Sequence, residues 1–329
     1  MDSKVLEKVR DQLRENEVFV SVKSGNIRYL SYKELKDPVA SAIMIDKEKE
    51  IAVVSSLEKN RASDLLDMDI KVFSPYPKIK KDGTKLLSLL KKECYGREII
   101  SDARIDGMRT KIKDPVAPLR MIKNSEEIRL IKKANKMTKD VELGAIATEG
   151  KSEIAIAREV EEDMLKNGAD GFAFDTIVAC GKHAAYSHHE PGRTGFKNVA
   201  IIDYGARYRG YCADVTRTII DGSERLGEIK RRIEEAVESA VEKFSEGSKC
   251  SEIDRELRGA LGKFSKFFYH GTGHGLGLEV HEQPSISITS KDVLEKGMVF
   301  TIEPGIYIKG LGGVRVEDDF YVDGKVRKI

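Results

Sequence analysis

Residues 268–282 limit the possible folds of this chain severely, because they set three histidines among four glycines. The segment reads Phe-Tyr-His-Gly-Thr-Gly-His-Gly-Leu-Gly-Leu-Glu-Val-His-Glu and contains His270, His274 and His281. A His-x-x-x-His spacing would place two rings on one face of a helix, as in helical zinc sites. Glycines at this density remove helix propensity, so we expect an irregular or extended backbone that other groups can approach closely. The histidines indicate a metal or ligand site only if carboxylates elsewhere complete the cluster.

Two aspartates stand in segments that otherwise read as buried strands. Asp203 lies in Val-Ala-Ile-Ile-Asp-Tyr-Gly-Ala, and Asp214 lies in Cys-Ala-Asp-Val-Thr-Arg-Thr-Ile-Ile. A hairpin that turns at residues 208–209 would make them direct cross-strand partners, with Cβ atoms about 5 Å apart. Like charges at that distance destabilise each other unless a cation lies between them. For either aspartate alone, a solvent-facing position at a strand end is the simpler interpretation.

The second half of the chain repeats this arrangement with glutamates. Glu303 lies in Val-Phe-Thr-Ile-Glu-Pro-Gly and Glu317 in Gly-Val-Arg-Val-Glu-Asp-Asp. A hairpin centred on Gly310 would pair them. Four carboxylates and His274 are too many ligands for one structural zinc ion. They favour two ions that share carboxylates, about 3.5–4 Å apart, and Mn²⁺, Co²⁺ and Zn²⁺ are all compatible with these donors.

The order of predicted elements divides the chain into two domains. Residues 1–118 alternate short helices and strands, including a predicted strand at 27–30, and indicate a small α/β domain. The sequence Asp-Pro-Val-Ala-Pro at 114–118 breaks regular structure and predicts the boundary. In 119–329, the order helix, helix, hairpin occurs at 125–221 and again at 226–322. This repetition predicts two similar halves of one catalytic domain, with the site between them.

Charge and cysteine usage exclude several classes of partner. The chain has 57 Lys+Arg and 55 Asp+Glu, a net charge of +2, so no overall field attracts nucleic acid or an anionic membrane. No apolar run is long enough to predict a membrane span, and the charged start lacks the apolar core of a signal peptide. The 4 cysteines are scattered and suit reduced thiols. We therefore expect a cytoplasmic protein without a nucleic-acid or membrane partner.

Five motifs together resemble the Xaa-Pro peptidases, prolidase and aminopeptidase P. The motifs are Ile-Ile-Asp-Tyr-Gly-Ala, Ala-Asp-Val-Thr-Arg, Gly-Thr-Gly-His-Gly-Leu-Gly-Leu-Glu-Val-His-Glu, Ile-Glu-Pro-Gly-Ile-Tyr and Val-Arg-Val-Glu-Asp. These enzymes belong to the "pita-bread" metallopeptidase family, shared with methionine aminopeptidase and creatinase. The likeness extends from about residue 120 to the end, and residues 26–30 are similar to the creatinase-like N-terminal domain. The resemblance implies an α/β (α+β) chain with a creatinase-like N-terminal domain and a pseudo-symmetric pita-bread catalytic domain.

The resemblance also implies roles for individual residues. The implied ligands of two divalent ions are Asp203, Asp214, His274, Glu303 and Glu317. Asp214 and Glu317 would bridge the ions, and Glu303 would carry a proton to the leaving proline nitrogen. His281 would stabilise the developing oxyanion, while His188 and His270 would contact the substrate. Arg315 would anchor either the carboxylates or the substrate.

One departure from the prolidase pattern leaves the specificity open. Many prolidases carry an arginine four residues after the second histidine of the motif, where it can bind a dipeptide carboxylate. This chain has Ser285 there, so both Xaa-Pro dipeptidase and Xaa-Pro aminopeptidase activity are expected as alternatives. A methionine aminopeptidase-like exopeptidase and a non-enzymatic binding relative are further alternatives. The family resemblance implies a proline-containing peptide as substrate and a homodimer formed through the N-terminal domain.

Overall fold

The computed structural model describes residues 3–76 and 84–329. The chain divides into two compact units, Met1–Arg120 and Met121–Ile329. Each unit has its own sheets. None of the helices in the described ranges is long and apolar enough to cross a membrane.

The first unit is built on a six-stranded mixed sheet with the order β4-β3-β2-β1-β5-β6. Its strands are β1 (Glu17–Ser21), β2 (Ala42–Ile45), β3 (Glu50–Ser55), β4 (Asp69–Phe73), β5 (Glu98–Ser101) and β6 (Lys111–Ile112). Its helices are α1 (Ser3–Asp11), α2 (Ser24–Leu30), α3 (Lys59–Leu65), α4 (Leu86–Glu93) and α5 (Ala117–Met121), the last of which reaches the boundary between the units. The predicted strand at 27–30 is wrong, because these residues end α2. A four-residue apolar run cannot distinguish a buried strand from a buried helical turn.

The second unit contains the remaining elements. Its helices are α6 (Ser125–Lys139), α7 (Leu143–Ile146), α8 (Glu153–Lys166), α9 (Glu224–Lys243) and α10 (Cys250–Leu261), with 3₁₀ segments at Gly181–Ala185 and Gly262–Phe267. Its strands are β7 (Gly171–Phe172), β8 (Ile177–Cys180), β9 (Val199–Tyr204), β10 (Ala206–Tyr208), β11 (Tyr211–Cys212), β12 (Val215–Ile220), β13 (Gly273–Gly275), β14 (Glu282–Ile286), β15 (Val299–Ile302), β16 (Gly305–Ile308), β17 (Gly312–Arg315), β18 (Asp318–Asp323) and β19 (Lys325–Lys328).

Helices cover the strands of this unit in two places. In the first half, Ile156 and Val160 of α8 join one core cluster with Ile202 of β9. In the second half, α9 and α10 share a larger cluster with Phe300 of β15 and Phe320 of β18. The strands are grouped as β12-β9-β8, β11-β10-β7, β14-β13-β15-β18-β19 and β16-β17. The predicted order of helix, helix and hairpin is therefore present in both halves.

The start of α6 follows directly from the sequence. Asn124 accepts a hydrogen bond from the Glu127 amide at 3.0 Å, and the Glu127 carboxylate accepts one from the Asn124 amide at 2.9 Å. This reciprocal capping box satisfies two amides that the first helical turn leaves without partners. The sequence Asn-Ser-Glu-Glu predicted this cap correctly.

The first hairpin has a different register from the predicted one. Asp203 pairs with Thr216, not with Asp214. The turn lies at Arg209 and Gly210, whose φ angles are 46° and 85°, one residue later than predicted. A type I′ turn needs positive φ at both central residues, and glycine accepts it readily. The error amounts to two residues, so Asp214 still points to the same side as Asp203, as a diagonal neighbour.

The second hairpin has the predicted centre. Gly310 takes a φ of 85°, and Gly305 pairs with Arg315 on β16 and β17. Beyond the two glutamates the same register resumes, because Ile302 of β15 pairs with Asp318 of β18. Paired residues therefore flank Glu303 and Glu317 on both sides, which puts the two glutamates opposite each other.

Candidate metal centre

One cavity of about 710 Å³ in the second unit contains the predicted site residues in its lining. The nine predicted residues that line it are His188, Asp203, Asp214, His270, His274, His281, Glu303, Arg315 and Glu317. Three of them lie in strands β9, β13 and β17, and three, Asp214, Glu303 and Glu317, lie in the short connections between successive strands. The three remaining histidines lie in three different loops. The two hairpins and the glycine-rich segment thus meet at this cavity.

Close backbone packing positions His274 in the cavity wall. His274 is the central residue of β13, between Gly273 and Gly275. A Cβ atom at Gly273 would lie 2.0 Å from the Thr301 carbonyl oxygen, and one at Gly275 would lie 2.1 Å from the Gln283 carbonyl oxygen. Only glycine permits this approach. The extended backbone predicted for this segment is confirmed at β13.

Three donors form the tightest part of the site. The donor atoms of Asp214, His274 and Glu317 all lie within 4.8 Å of one another. His274 Nε2 is 3.5 Å from Asp214 Oδ2 and 3.5 Å from Glu303 Oε1. The other ring nitrogen, Nδ1, donates to the Gly275 carbonyl at 3.1 Å. This hydrogen bond leaves the Nε2 lone pair directed at the carboxylates, which is the orientation that a metal-ligating histidine needs.

The carboxylates of this site lack the partners that buried charges require. One oxygen each of Asp203, Asp214 and Glu317 is buried without a hydrogen-bond partner. Burial, and then the charge of Glu317, raises the pKa of Asp214 well above its usual range. Burial, and then the charge of Glu303, raises the pKa of Glu317 well above its usual range. Burial also raises the pKa of Glu303 to about 8.

Divalent metal ions fit these residues. Unsatisfied buried carboxylate oxygens are costly, and neighbouring like charges disfavour ionisation. Oxygen-rich donor sets with one imidazole are typical of Mn²⁺, Co²⁺ and Zn²⁺. Cations among these oxygens would satisfy the orphaned lone pairs and cancel the repulsion.

Arg315 joins the two halves of the site. Its Nη2 donates to Asp203 Oδ2 at 2.5 Å and its Nε donates to Thr216 Oγ1 at 3.0 Å. Its Nη1 donates to the Tyr307 hydroxyl and to the Ser187 carbonyl, both at 3.0 Å. The guanidinium is thereby held in one plane by partners on several elements, as its fork of donors allows. The guanidinium lies beside the carboxylates, and these hydrogen bonds use its Nε, Nη1 and Nη2 donors.

The imidazoles of His270 and His281 take different positions. His270 donates from Nδ1 to the Gly271 carbonyl at 2.8 Å and accepts at Nε2 from the Tyr307 hydroxyl at 2.9 Å. Burial lowers the pKa of His270 to about 4, so its ring is neutral near neutral pH. The His281 ring packs edge-on to His274, with centroids 4.4 Å apart.

Several residues around the cavity were missed from the sequence. Tyr307 links His270 to Arg315, and Thr216 donates to Glu317 Oε2 at 2.7 Å. Asp319 accepts from the Asp214 amide at 3.2 Å and from Asn135 at 2.7 Å. Alternation along a strand could have indicated Tyr307, because it lies four residues after Glu303 and so on the same face. Nothing in the sequence pattern indicates the contact between Asn135 and Asp319, which are 184 residues apart.

The match to known proteins agrees with this geometry. Residues 129–324 fit the sequence pattern of metallopeptidase family M24. The chain belongs to metallopeptidase family M24. Membership in M24 implies the use of divalent metal, in agreement with the donor set of the cavity. The predicted mixed α/β pita-bread fold and the prediction of a metallopeptidase are confirmed.

Named M24 relatives cover nearly the whole chain. The Xaa-Pro dipeptidase of Pyrococcus horikoshii is 36% identical over 313 residues, which are 91% of this chain and 88% of the relative. The structure of an Xaa-Pro dipeptidase from Bacillus anthracis has a TM-score of 0.86 at 28% identity, covering 99% of this chain and 96% of that one. An X-Pro aminopeptidase structure from Thermotoga maritima has a TM-score of 0.80 at 28% identity, covering 97% and 96%. The predicted resemblance to Xaa-Pro peptidases is confirmed.

Proposed function

We propose that this M24 peptidase hydrolyses the bond before proline in Xaa-Pro dipeptides, using two divalent ions. The observation that carries the proposal is the convergence of five donor side chains in one cavity, three of which have a buried oxygen without a hydrogen-bond partner. Relatives that are 36% identical are named Xaa-Pro dipeptidases. The proposed ligands are Asp203, Asp214, His274, Glu303 and Glu317, with Asp214 and Glu317 shared between the ions.

The proposed ions would supply the activation that peptide hydrolysis requires. Divalent ions in such a donor set bring the pKa of water toward neutrality and polarise a carbonyl group. The protein's part is to fix the ligands, and Thr216, Gly275 and Arg315 hold the carboxylates and His274 in place. Mn²⁺, Co²⁺ and Zn²⁺ all suit the donors.

The proposed catalytic roles fall to groups that face the cavity. Glu303 would accept a proton from the attacking water and pass it to the proline nitrogen as the bond breaks. His281 would donate a hydrogen bond to the oxyanion that develops on the scissile carbonyl. His188 and His270 would line the substrate pocket, with His270 acting as a neutral group since burial lowers its pKa to about 4. Arg315 would act chiefly by orienting Asp203.

One feature of the cavity favours a second candidate, Xaa-Pro aminopeptidase activity. Ser285, at the position where many prolidases have an arginine, lines the cavity together with Ser287. Among the described lining residues, Arg315 alone carries a permanent positive charge, and Asp203 already engages it at 2.5 Å. A free dipeptide carboxylate would therefore rely on hydroxyl groups and imidazoles. A longer peptide, in which the carboxylate lies further from the cavity, avoids this demand.

A substrate panel tests the proposal. Metal-stripped protein is reloaded with Mn²⁺, Co²⁺ or Zn²⁺ and offered Met-Pro, Ala-Pro-Ala and Met-Ala-Ala in parallel. We expect release of proline from Met-Pro with at least one metal. Cleavage of Ala-Pro-Ala alone would assign the aminopeptidase activity instead, and turnover of Met-Ala-Ala alone would assign a methionine aminopeptidase-like activity. No turnover of any peptide would contradict the enzymatic proposal and favour a binding role.

The proposal includes a cytoplasmic homodimer. All four cysteines, Cys94, Cys180, Cys212 and Cys250, are buried and form no disulfide, as in a reducing compartment. Dimerisation through the first unit is implied by the family resemblance. Size-exclusion chromatography with light scattering on the full chain tests it: a dimer mass supports the proposal and a monomer mass contradicts it.

A further inference from the structure

A second cluster of metal-ligating side chains lies apart from the lining of the catalytic cavity. Glu153, the first residue of α8, is fully buried. His183 Nδ1 lies 2.9 Å from its Oε1, and His189 Nε2 lies 2.9 Å from its Oε2. The three donor atoms lie within 4.8 Å of one another, and the two rings have centroids 4.4 Å apart. Neither histidine has a role in the proposed peptidase reaction.

Backbone amides fix the orientation of the Glu153 carboxylate. The Cys180 amide donates to Oε1 at 2.8 Å and the Gly192 amide donates to Oε2 at 2.9 Å. Burial acts to raise the pKa of Glu153, but the hydrogen bonds from Cys180, His189, His183 and Gly192 outweigh it and lower the pKa. The group is therefore a buried carboxylate ion that is oriented before any ligand arrives. Such preorientation reduces the cost of binding.

The charge of this carboxylate has no permanent counter-charge nearby. Among the described residues, its ion-pair partners within 4.0 Å are His183 and His189, and no lysine or arginine is among them. Buried charges in proteins are usually paired with a cation or coordinate a metal. Each imidazole nitrogen lies 2.9 Å from a different oxygen of the carboxylate, so a cation held by the three groups would replace the ring protons at these contacts.

We infer that Glu153, His183 and His189 form a separate binding site for a transition-metal dication, with Zn²⁺ as the best match. Two imidazoles and one carboxylate are a frequent donor set for zinc and its neighbours in the first transition row. Binding needs both histidines in the tautomer that leaves the facing nitrogen unprotonated, and the amides of Cys180 and Gly192 would remain on the carboxylate as outer partners.

A bound ion would connect the chain segment 181–189, which carries His183 and His189, to Glu153 at the start of α8. His183 lies in the 3₁₀ segment 181–185, and His189 directly follows His188, which lines the catalytic cavity. The Ser187 carbonyl in the same loop accepts from Arg315 Nη1 at 3.0 Å. A bound ion would thus fix the loop that carries His188, so we assign the site a structural role.

A binding experiment can separate this site from the catalytic one. The reference protein, called the background, is the untagged full-length chain with the substitutions Asp214→Asn and Glu317→Gln. These two substitutions weaken metal binding in the catalytic cavity and introduce no new charged group. His183→Gln and His189→Gln are then introduced singly. Glutamine keeps an N–H donor for the Glu153 carboxylate but removes the imidazole ligand. A cluster that serves only as a hydrogen-bonded clamp would therefore be largely preserved, whereas a metal site would not.

The readouts are Zn²⁺ stoichiometry by equilibrium dialysis and the visible absorption of bound Co²⁺. We expect each glutamine variant to bind one Zn²⁺ fewer per chain than its background. Alternatively its affinity falls by about 100-fold or more, because losing a direct ligand costs more than losing an outer partner. Equal Zn²⁺ binding by the background and both variants would overturn the site. For a variant that does not fold, Zn²⁺-edge anomalous scattering from crystals of the unaltered protein decides: a peak at Glu153 supports the site, and its absence overturns it. Neither readout requires peptide turnover.

Discussion

The carboxylates of the cavity are buried so close together that they cannot all be ionised unless positive charge balances them. Asp214 is 4% exposed and Glu317 is 2% exposed, and one oxygen of each has no partner. Arg315 supplies a single positive charge, and its shortest contact is to Asp203. One guanidinium cannot balance four carboxylates. The remaining charge is what the proposed metal ions would balance.

Replacing Arg315 by lysine tests how strongly the site depends on this guanidinium. A single ammonium group cannot reach Asp203, Tyr307 and Ser187 together. We expect Arg315→Lys to lower kcat/KM about 100-fold, since small displacements of catalytic groups have effects of that size. Steady-state kinetics on the metal-loaded enzyme would measure it.

The matched control is Arg129→Lys. Arg129 pairs with Glu126 on the surface, with side chains 60% and 57% exposed, and exposed pairs contribute little. We expect unchanged kinetics and an unchanged melting temperature. If Arg315→Lys behaved like this control, the guanidinium would not be positioning Asp203.

Among individual residues, the sequence indicates those whose type is unusual for their surroundings, and it does not indicate the residues that form hydrogen bonds to them. Aspartate in an apolar strand and histidine among glycines are visible in the sequence, so the proposed ligands could be named in advance. Thr216 and Tyr307 are ordinary residues for a strand, and the importance of these two residues and of Asp319 comes from contacts across the fold. Two of these contacts join residues that are far apart in sequence: Thr216 and Glu317 are 101 positions apart, and Asp214 and Asp319 are 105 positions apart.

The strand elements bring the donors together through register. In the second hairpin, Gly310 fixes the turn and the paired strands on either side align Glu303 with Glu317. In the first hairpin, the turn at Arg209–Gly210 shifts the predicted pairing by two residues. Because side chains alternate between faces, an error of two keeps the face and an error of one would have reversed it.

Gly273 is the position where a strand element tolerates least change. A Cβ atom there would lie 2.0 Å from a backbone oxygen of Thr301, so β13 and β15 must separate to admit it. We expect Gly273→Ala to lower the free energy of unfolding by at least about 2 kcal/mol, as overpacking does. It should also reduce kcat, because His274 moves with the strand. Urea denaturation and steady-state kinetics would measure both effects.

Gly227 in α9 provides the comparison. A Cβ atom there meets nothing within 4 Å, and alanine in a helix is preferred over glycine by about 0.5–1 kcal/mol. Gly227→Ala should therefore be neutral or stabilising, with normal activity. Equal tolerance of alanine at both glycines would contradict the close approach of β13 to β15.

For the whole molecule, the sequence predicted the type of organisation better than its details. Helix and strand periodicity revealed the repeated order in the second unit, and the capping box fixed the start of α6. Short elements such as β6, β7 and β13 were not separated from loops, because two or three residues show no period. The Glu153 cluster was also not predicted, because His183 and His189 meet α8 only in the folded chain.

Removal of metal should change how stability depends on pH. In metal-free protein, burial raises the pKa of Glu303 to about 8 and also raises the pKa values of Asp214 and Glu317. Between the usual carboxyl range and these values, the folded state holds protons that the unfolded state releases. The contribution of these carboxyl groups to stability is therefore greatest at low pH in this window and falls as pH rises, by at most about 1.4 kcal/mol per pH unit for each proton. The lowered pKa values of His270 and His274 act in the opposite direction, but only below about pH 6.5, the ordinary value for histidine.

Urea denaturation of metal-stripped protein from about pH 7 to about pH 8.5, above the range in which His270 and His274 titrate, would measure this slope. We expect Glu303→Gln, which cannot ionise, to flatten it. Saturating Mn²⁺ should raise stability most at the upper end of the range, since metal binding requires ionised carboxylates. Stability that rises with pH in the metal-free protein would contradict the proposed crowding of carboxylates.

Anomalous scattering from crystals grown with Mn²⁺ would examine the proposed catalytic centre most directly. We expect two peaks in the cavity, both within coordination distance of Asp214 and Glu317. A single peak, or Mn²⁺ bound without contact to Asp214 and Glu317, would contradict the dinuclear centre.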